Sequence, residues 1–258
     1  MFGIAGETEF DVRFHILGIP VRIHPVFWLS SALLAWAPAG GQLGLVFLGI
    51  VCVLVSILAH ELGHAVMSRK FGYPSEIVLY FLGGYATSAR FSTWKNVAVS
   101  AAGPGVGFGL FWIVYAVFAY LFANNRTLLI ESDALWYVLN LMLFANLIWN
   151  AMNLIPCMPL DGGQIMQSLV SRYVGRKATE RVVQVSIATS GAVALWSLIC
   201  MQQQNAGNPM HVIPIPRMLV PNFPVGNLQP DPMFLAIFFG YMCAQHVMFY
   251  NSQFRRGY

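Results

Sequence analysis

The chain has 258 residues, of which 57% are hydrophobic and only 9% are charged. Soluble domains carry about 25% charged residues, so this composition excludes an ordinary soluble enzyme and indicates an integral membrane protein. The formal net charge is only +4, and no stretch resembles a nucleic-acid-binding module. We predict an all-α polytopic membrane protein with six transmembrane helices, in which residues 1–258 form a single membrane-embedded domain.

Residues 1–23 are expected to be a cytoplasmic or interfacial segment that precedes a six-span core at 24–250. Residues 10–23 alternate loosely between apolar and polar and contain a Gly-Ile-Pro break, which indicates short strand-like or interfacial structure. His15 and His24 are interpreted as interfacial polar residues rather than metal ligands. The first span is predicted to run from about His24 to about Ala39.

The second span, Leu43–Lys70, starts with seventeen uncharged residues and ends in His60-Glu61-Leu62-Gly63-His64. Helical positions i and i+4 share one face, so both imidazoles can reach one zinc ion, and Glu61 beside them can take a proton from an attacking water. The motif alone also fits a helix whose histidines pair with neighbouring groups. Ionisable residues at membrane depth are costly, which favours a functional site here.

Residues 77–88 are predicted to be strand-like backbone dipping into the membrane between the second and third spans. They are rich in β-branched and aromatic residues and contain Gly83-Gly84. Such backbone survives at membrane depth only when it is buried in protein or lines a wet cavity. The third span, at 97–123, opens with small residues that let helices approach closely.

The fourth span, at 134–156, places Asn146, Asn150 and Asn153 on one helical face. Hydrogen bonding between helices is the preferred interpretation for Asn150 and for Asn140. An irregular segment at 156–163 and a short amphipathic helix to about Val174 follow. The fifth and sixth spans are expected at 178–201 and 232–250, joined by an extracytoplasmic loop at 202–231 that contains six prolines and is interpreted as a lid or a disordered loop.

The distribution of Lys and Arg predicts the orientation. With six spans, twelve of the fourteen basic residues lie on the side of both termini, and only Arg126 and Arg217 lie opposite. Positive loops stay inside, so both termini are expected in the cytoplasm, with the chain in the inner (cytoplasmic) cell membrane. Leu43 and His60 are about 26 Å apart along the helix, which places the motif within the membrane near its cytoplasmic side.

A third ligand is needed, because a hydrolytic zinc site takes three protein ligands and keeps one position open. Asp161 is the best candidate beside His60 and His64, since the fourth span ends on the same side of the membrane as the second. Gly162-Gly163 after it allow a tight backbone approach. The alternative role of Asp161 is an N-cap of the helix that follows.

The His60–His64 motif together with N-x-x-P-x-x-x-L-D-G-G at 153–163 resembles the site-2 protease family of intramembrane zinc metalloproteases. The resemblance implies regulated intramembrane proteolysis, in which transmembrane substrates are cleaved in or near the bilayer. It implies one Zn²⁺ per chain, held by His60, His64 and Asp161, with Glu61 as the catalytic base.

The resemblance also assigns residues around the substrate. It implies that Asn153 lies near the substrate or the oxyanion, and that the strand-like region at Gly83 and Gly84 binds the substrate as an added β-strand. No segment resembles the PDZ or CBS domains of many members. Two other functions stay open: a catalytically silent membrane scaffold of the same fold, and a metal transporter, against which the missing internal repeats count.

Overall fold

The computed structural model describes residues 6–81, 83–87, 89, 91–207 and 230–254. Most of the predicted loop at 202–231 lies outside these residues, as do Arg90, Arg217, Arg255 and Arg256 of the charge count. The chain divides into two compact units, Met1–Asn153 and Leu154–Tyr258. The expectation of a single domain over 1–258 stays a prediction.

Among the described residues of the first unit, four strands form one sheet. They are β1 (Val12–Ile16), β2 (Ile19–Ile23), β3 (Ile77–Tyr80) and β4 (Gly83–Ala86), in the order β1-β2-β3-β4. The outer pairs are antiparallel, whereas β2 and β3 are parallel, with Val21 opposite Ile77. The predicted β region between the second and third spans is therefore confirmed. The structure adds that the N-terminal strands belong to the same sheet.

The helices of the first unit are α1 (Pro25–Trp36), α2 (Leu43–Lys70), α3 (Thr93–Asn124), α4 (Arg126–Glu131), α5 (Asp133–Phe144) and α6 (Asn150–Asn153). A π-helical turn at Ala145–Trp149 joins α5 to α6, so that Asp133–Asn153 is one continuous span. His24 caps α1, because its Nδ1 accepts a hydrogen bond from the Val26 N–H at 3.2 Å. This contact fits the prediction that His24 is not a ligand.

The sheet packs against α1 and α2 through one buried apolar cluster. Its members come from β2, β3 and the two helices: Ile19, Val21, Ile23, Phe27, Val53, Ile57, Ala65, Ile77 and Leu79. Side chains on alternate strand positions face the same side, which is why β2 and β3 can both present their apolar residues to α2. The α2 members of the cluster lie before and after His60–His64 in the helix, so the cluster holds the sheet beside the motif.

The second unit contains α7 (Asp161–Val174), a 3₁₀ turn at Gly175–Lys177, α8 (Ala178–Asn205) and α9 (Pro232–Phe254). Helices α8 and α9 pack along each other. The Cys243 thiol donates to Ile187 O at 3.6 Å, and Gln184 Nε2 donates to the Tyr250 hydroxyl at 3.2 Å. The short helix predicted to end near Val174 is confirmed as α7.

Five helical stretches of the described residues are long and apolar enough to cross a membrane. They are Leu43–Lys70, Thr93–Asn124, Asp133–Asn153, Asp161–Asn205 and Pro232–Phe254. The first predicted span is the shorter apolar helix Pro25–Trp36. The polytopic helical membrane fold with a small sheet is thus confirmed, whereas the count of six spans is not.

Candidate metal centre

His60 and His64 lie one turn apart on α2 and are 6% and 9% exposed. Their Nε2 atoms are 3.1 Å apart, and the two rings meet edge to face with centroids 4.8 Å apart. As the sequence predicts, the spacing of four residues in the motif directs both imidazoles to one point beside the helix.

The second nitrogen of each ring has its own partner in the first unit. His60 Nδ1 lies 2.8 Å from Asn150 Oδ1, and His64 Nδ1 lies 2.7 Å from the Val99 carbonyl oxygen. A carbonyl oxygen only accepts, so His64 Nδ1 carries the proton. Asn150 Nδ2 donates to Asn146 O at 2.7 Å, which turns Oδ1 towards His60. His60 Nδ1 is therefore also the donor, and both Nε2 atoms present a lone pair.

This pair of nitrogens fits a zinc ion. Two lone pairs that face each other at 3.1 Å repel unless a cation or a proton lies between them. Tetrahedral zinc with Zn–N bonds of 2.0–2.1 Å separates two ligand nitrogens by about 3.3 Å. Ligating histidines typically donate their other N–H to a carbonyl or carboxylate oxygen. The protonation pattern and the spacing of His60 and His64 match both requirements.

Glu61 is 5% exposed and lies beneath the edge of the sheet. A Cβ added to Gly84 would lie 3.0 Å from Glu61 Cγ, 2.7 Å from Leu79 Cδ2 and 3.1 Å from Val78 O. Gly84 thus lets β4 approach the carboxylate. A Cβ on Gly83 would meet nothing within 4 Å in the described part of the chain. The structure brings Gly84 to Glu61, whereas Gly83 has no such contact.

Helix α3 crosses the motif at close range. A Cβ on Gly63 would lie 2.5 Å from Ala102 O and 3.0 Å from Gly103 Cα, and a Cβ on Gly103 would overlap the imidazole of His64. The close helix approach predicted for the opening of α3 is confirmed. It allows a backbone carbonyl of α3, that of Val99, to reach His64.

The asparagines of the fourth span have different roles. The predicted hydrogen bond between helices is confirmed for Asn150, and its partner is His60. For Asn140 the prediction is wrong, because its Nδ2 donates to Trp136 O of its own helix at 2.7 Å. Asn153 is the partly buried last residue of α6. The sequence predicts a hydrogen bond between helices for Asn150, but nothing in its spacing indicates that His60 is the partner.

Asp161 belongs to the second unit, where it is 6% exposed. It is the first residue of α7 and Leu160 is the N-cap, so the alternative interpretation of Asp161 as an N-cap is wrong. The predicted tight approach after it is confirmed. A Cβ on Gly163 would lie 2.5 Å from the Cys157 carbonyl, and a Cβ on Gly162 would overlap the Leu154 carbonyl. The two glycines let the 154–158 segment fold directly onto the start of α7.

Comparison with known proteins finds a family model, described as Peptidase family M50, that matches residues 48–197. A protein named zinc metalloprotease MJ0392 from Methanocaldococcus jannaschii is 29% identical over 198 residues, which cover 75% of this chain and 56% of that protein. A putative zinc metalloprotease named Rip3 from Mycobacterium tuberculosis is 30% identical over 202 residues, covering 72% and 49%. The chain thus spans about half the length of the curated relatives it matches.

A solved structure described as a site-2 protease from Methanocaldococcus jannaschii has a similar fold. The TM-score is 0.53, and the match covers 91% of this chain and 95% of that one. Sequence identity is 23%, so this likeness concerns the fold alone. It agrees with a polytopic helical protein that carries a small sheet.

Proposed function

This chain belongs to peptidase family M50, and we propose that it is an intramembrane zinc endopeptidase that cleaves membrane proteins in or near their transmembrane segments. The observation that carries the proposal is the pair of Nε2 atoms, 3.1 Å apart, on a helix long and apolar enough to cross a membrane. Glu61 lies between the two histidines in the chain and is buried with them. The names of the relatives, which are zinc metalloproteases, support the same chemistry.

His60, His64 and Asp161 are the proposed ligands of one Zn²⁺ per chain. Each offers one atom of a type that zinc takes, two imidazole nitrogens and one carboxylate oxygen. When bound, zinc supplies a Lewis acid that makes water nucleophilic at neutral pH. We expect His60→Ala and Asp161→Ala each to abolish stoichiometric zinc binding by the purified protein. Retention of full zinc content in either variant would remove that residue from the ligand set.

The remaining chemistry belongs to two further side chains. The Glu61 carboxylate accepts a proton from the attacking water and delivers it to the leaving amide nitrogen. The Asn153 carboxamide donates to the oxygen of the scissile carbonyl as negative charge develops there.

The substrate is proposed to add a strand to the outer edge of β4, which ends the sheet within the described residues. Thr87 N–H donates to Glu76 O, and Leu79 O accepts from His24 N–H on the β2 side. Since hydrogen-bonded and non-bonded pairs alternate in an antiparallel ladder, the N–H groups of Gly84 and Ala86 point away from β3. An unwound substrate segment would satisfy its backbone there, beside Glu61.

The chain is a multi-pass membrane protein, and the inner membrane with cytoplasmic termini is its proposed setting. With Pro25–Trp36 counted as a sixth span, the excess of Lys and Arg on one side supports this orientation, which would put the proposed catalytic groups near the cytoplasmic face. Labelling of single cysteines placed near each terminus, from either side of sealed vesicles, tests the orientation. Labelling of both termini from the extracytoplasmic side only would reverse it.

The decisive experiment compares the wild type with Glu61→Gln on a single-span membrane reporter in detergent or liposomes. The amide keeps the size of the side chain but cannot act as a base, so cleavage should fall by about 10²–10⁴-fold. Zinc content serves as the control and should be equal in both proteins. Equal cleavage by both would remove Glu61 as the base. A zinc-loaded wild type that never cleaves would favour the scaffold instead.

A further inference from the structure

We propose that Asn150 is a positioning residue of the metal centre, and that Gly107 of α3 is small in order to leave room for it. In this role the Asn150 carboxamide holds His60 in the tautomer and ring orientation that present Nε2 to the metal. The inference rests on the proposed function, because it requires His60 to be a ligand. It concerns residues of the first unit alone.

The orientation of the carboxamide is set from both sides. Asn150 is 2% exposed, its Oδ1 lies 2.8 Å from His60 Nδ1 and its Nδ2 donates to Asn146 O at 2.7 Å. Because the Asn146 carbonyl can only accept, a flipped amide would place two acceptors against each other. Asn150 therefore offers His60 an acceptor and never a donor.

A π-helical turn at Ala145–Trp149 directly precedes Asn150. In a regular α-helix the Asn150 N–H would bond to Asn146 O. Here the Asn150 N–H bonds to Leu147 O, and Asn146 O accepts a hydrogen bond from the Asn150 side chain. Single π turns inside α-helices occur frequently at functional sites.

A second hydrogen bond joins the same turn to α2. Asn146 Nδ2 donates to Ser56 Oγ at 2.9 Å, and Ser56 lies one helical turn before His60 on α2. The span that carries Asn150 is thus joined to α2 both at His60 and one turn away from it. Two such contacts fix the axial position of Asn150 relative to the imidazole.

The space that the Asn150 carboxamide occupies depends on the absence of a side chain at Gly107. A Cβ on Gly107 would overlap the Nδ2, Oδ1 and Cγ atoms of Asn150. By contrast, a Cβ on Gly105 or on Gly109 of the same helix would meet nothing within 4 Å among the described residues. Of these three glycines in α3, therefore, Gly107 is the one whose missing side chain Asn150 requires.

The first test measures zinc affinity by chelator competition on the purified full chain, together with the visible spectrum of the Co²⁺ form. Outer partners of ligating histidines typically contribute 10–100-fold to metal affinity, so we expect Asn150→Leu to bind zinc about 10–100-fold more weakly and to change the Co²⁺ spectrum. Asn150→Asp keeps an acceptor and should stay within a few fold of the wild type. Asn140→Leu, on the same span, is the matched control and should bind like the wild type.

The order of the variants separates positioning from packing. A buried carboxylate against Asn146 O should lower the unfolding temperature more than an isosteric leucine does, while zinc affinity follows the opposite order. If zinc affinity falls in step with unfolding temperature, with Asp worse than Leu, Asn150 is merely structural and the inference is overturned. The Asp variant and the glycine variants below keep the test usable if Asn150→Leu does not fold.

The second test is a double-mutant cycle with Gly107→Ala. Alone, this variant should weaken zinc binding about tenfold, whereas Gly105→Ala should leave it unchanged. In an Asn150→Ala background the added methyl group enters vacated space, so Gly107→Ala should have no further effect on zinc binding. Equal effects in both backgrounds would overturn the link between the two residues.

The wild type and His60→Ala separate this inference from the proposed function. If both bind zinc equally, His60 is not a ligand and the proposed metal centre fails together with the inference. If His60→Ala loses zinc while Asn150→Leu binds like the wild type, only the positioning role of Asn150 is refuted.

Discussion

Gly63→Ala tests how closely α2 and α3 must approach each other. The added Cβ would lie 2.5 Å from Ala102 O, about 0.9 Å short of ordinary van der Waals contact at 3.4 Å. The obstacle is backbone, so α2 and α3 must separate. A shift of that size would stretch the contact between His64 Nδ1 and Val99 O from 2.7 Å to about 3.6 Å, beyond the range of a hydrogen bond.

Two free energies follow from this geometry. Overpacking a close contact costs about 1–3 kcal/mol, and replacing glycine by alanine in a helix returns about 1 kcal/mol. We therefore expect the free energy of unfolding to fall by about 0–2 kcal/mol. Loss of the His64 partner should weaken zinc binding by about 10–100-fold. The effect on zinc affinity is thus expected to exceed the effect on stability.

The assay pairs thermal unfolding in detergent with zinc competition, and Gly44→Ala is the matched control. Gly44 also lies on α2, and a Cβ there would meet nothing within 4 Å in the described part of the chain. It should leave zinc affinity unchanged. If Gly63→Ala binds zinc within threefold of Gly44→Ala, the close approach of α3 does not support His64, and the reasoning is refuted.

Two further predictions concern the sheet and its neighbourhood. A hydrogen bond from the Thr8 hydroxyl, with help from the Thr8 N–H and from Arg22, lowers the pKa of Asp11 from 3.8 to about 2. The ionised Asp11 carboxylate therefore stabilises the folded state fully above pH 3.8, and this stabilisation is lost as the pH falls towards 2. The unfolding temperatures of the wild type and Asp11→Asn should accordingly converge between pH 4 and pH 2. A difference that stays constant over this range would contradict the prediction. Ala86→Pro, which removes an outward N–H of β4, should cut reporter cleavage about five- to tenfold relative to Ala86→Val, and equal rates would argue against strand addition.

The sequence alone determined the elements whose signals are local. The bounds of α2 and the convergence of its two imidazoles follow from an uncharged run and a spacing of four, which are properties of one helix. The strand-like character of 77–88 and the close helix approach at the opening of α3 could also be predicted from the sequence, because composition within a few residues decides them.

The tertiary structure decided what depends on partners distant in the chain. Residue spacing does not show that Val21 pairs with Ile77, nor that Asn150 reaches His60 while Asn140 bonds to its own helix. A hydrogen-bond partner is chosen by which helix faces lie in contact, and a single π turn changes that face without a clear mark in the sequence. For the same reason the sequence does not distinguish Gly107 from the other small residues of α3, and only the structure places the Asn150 carboxamide against it.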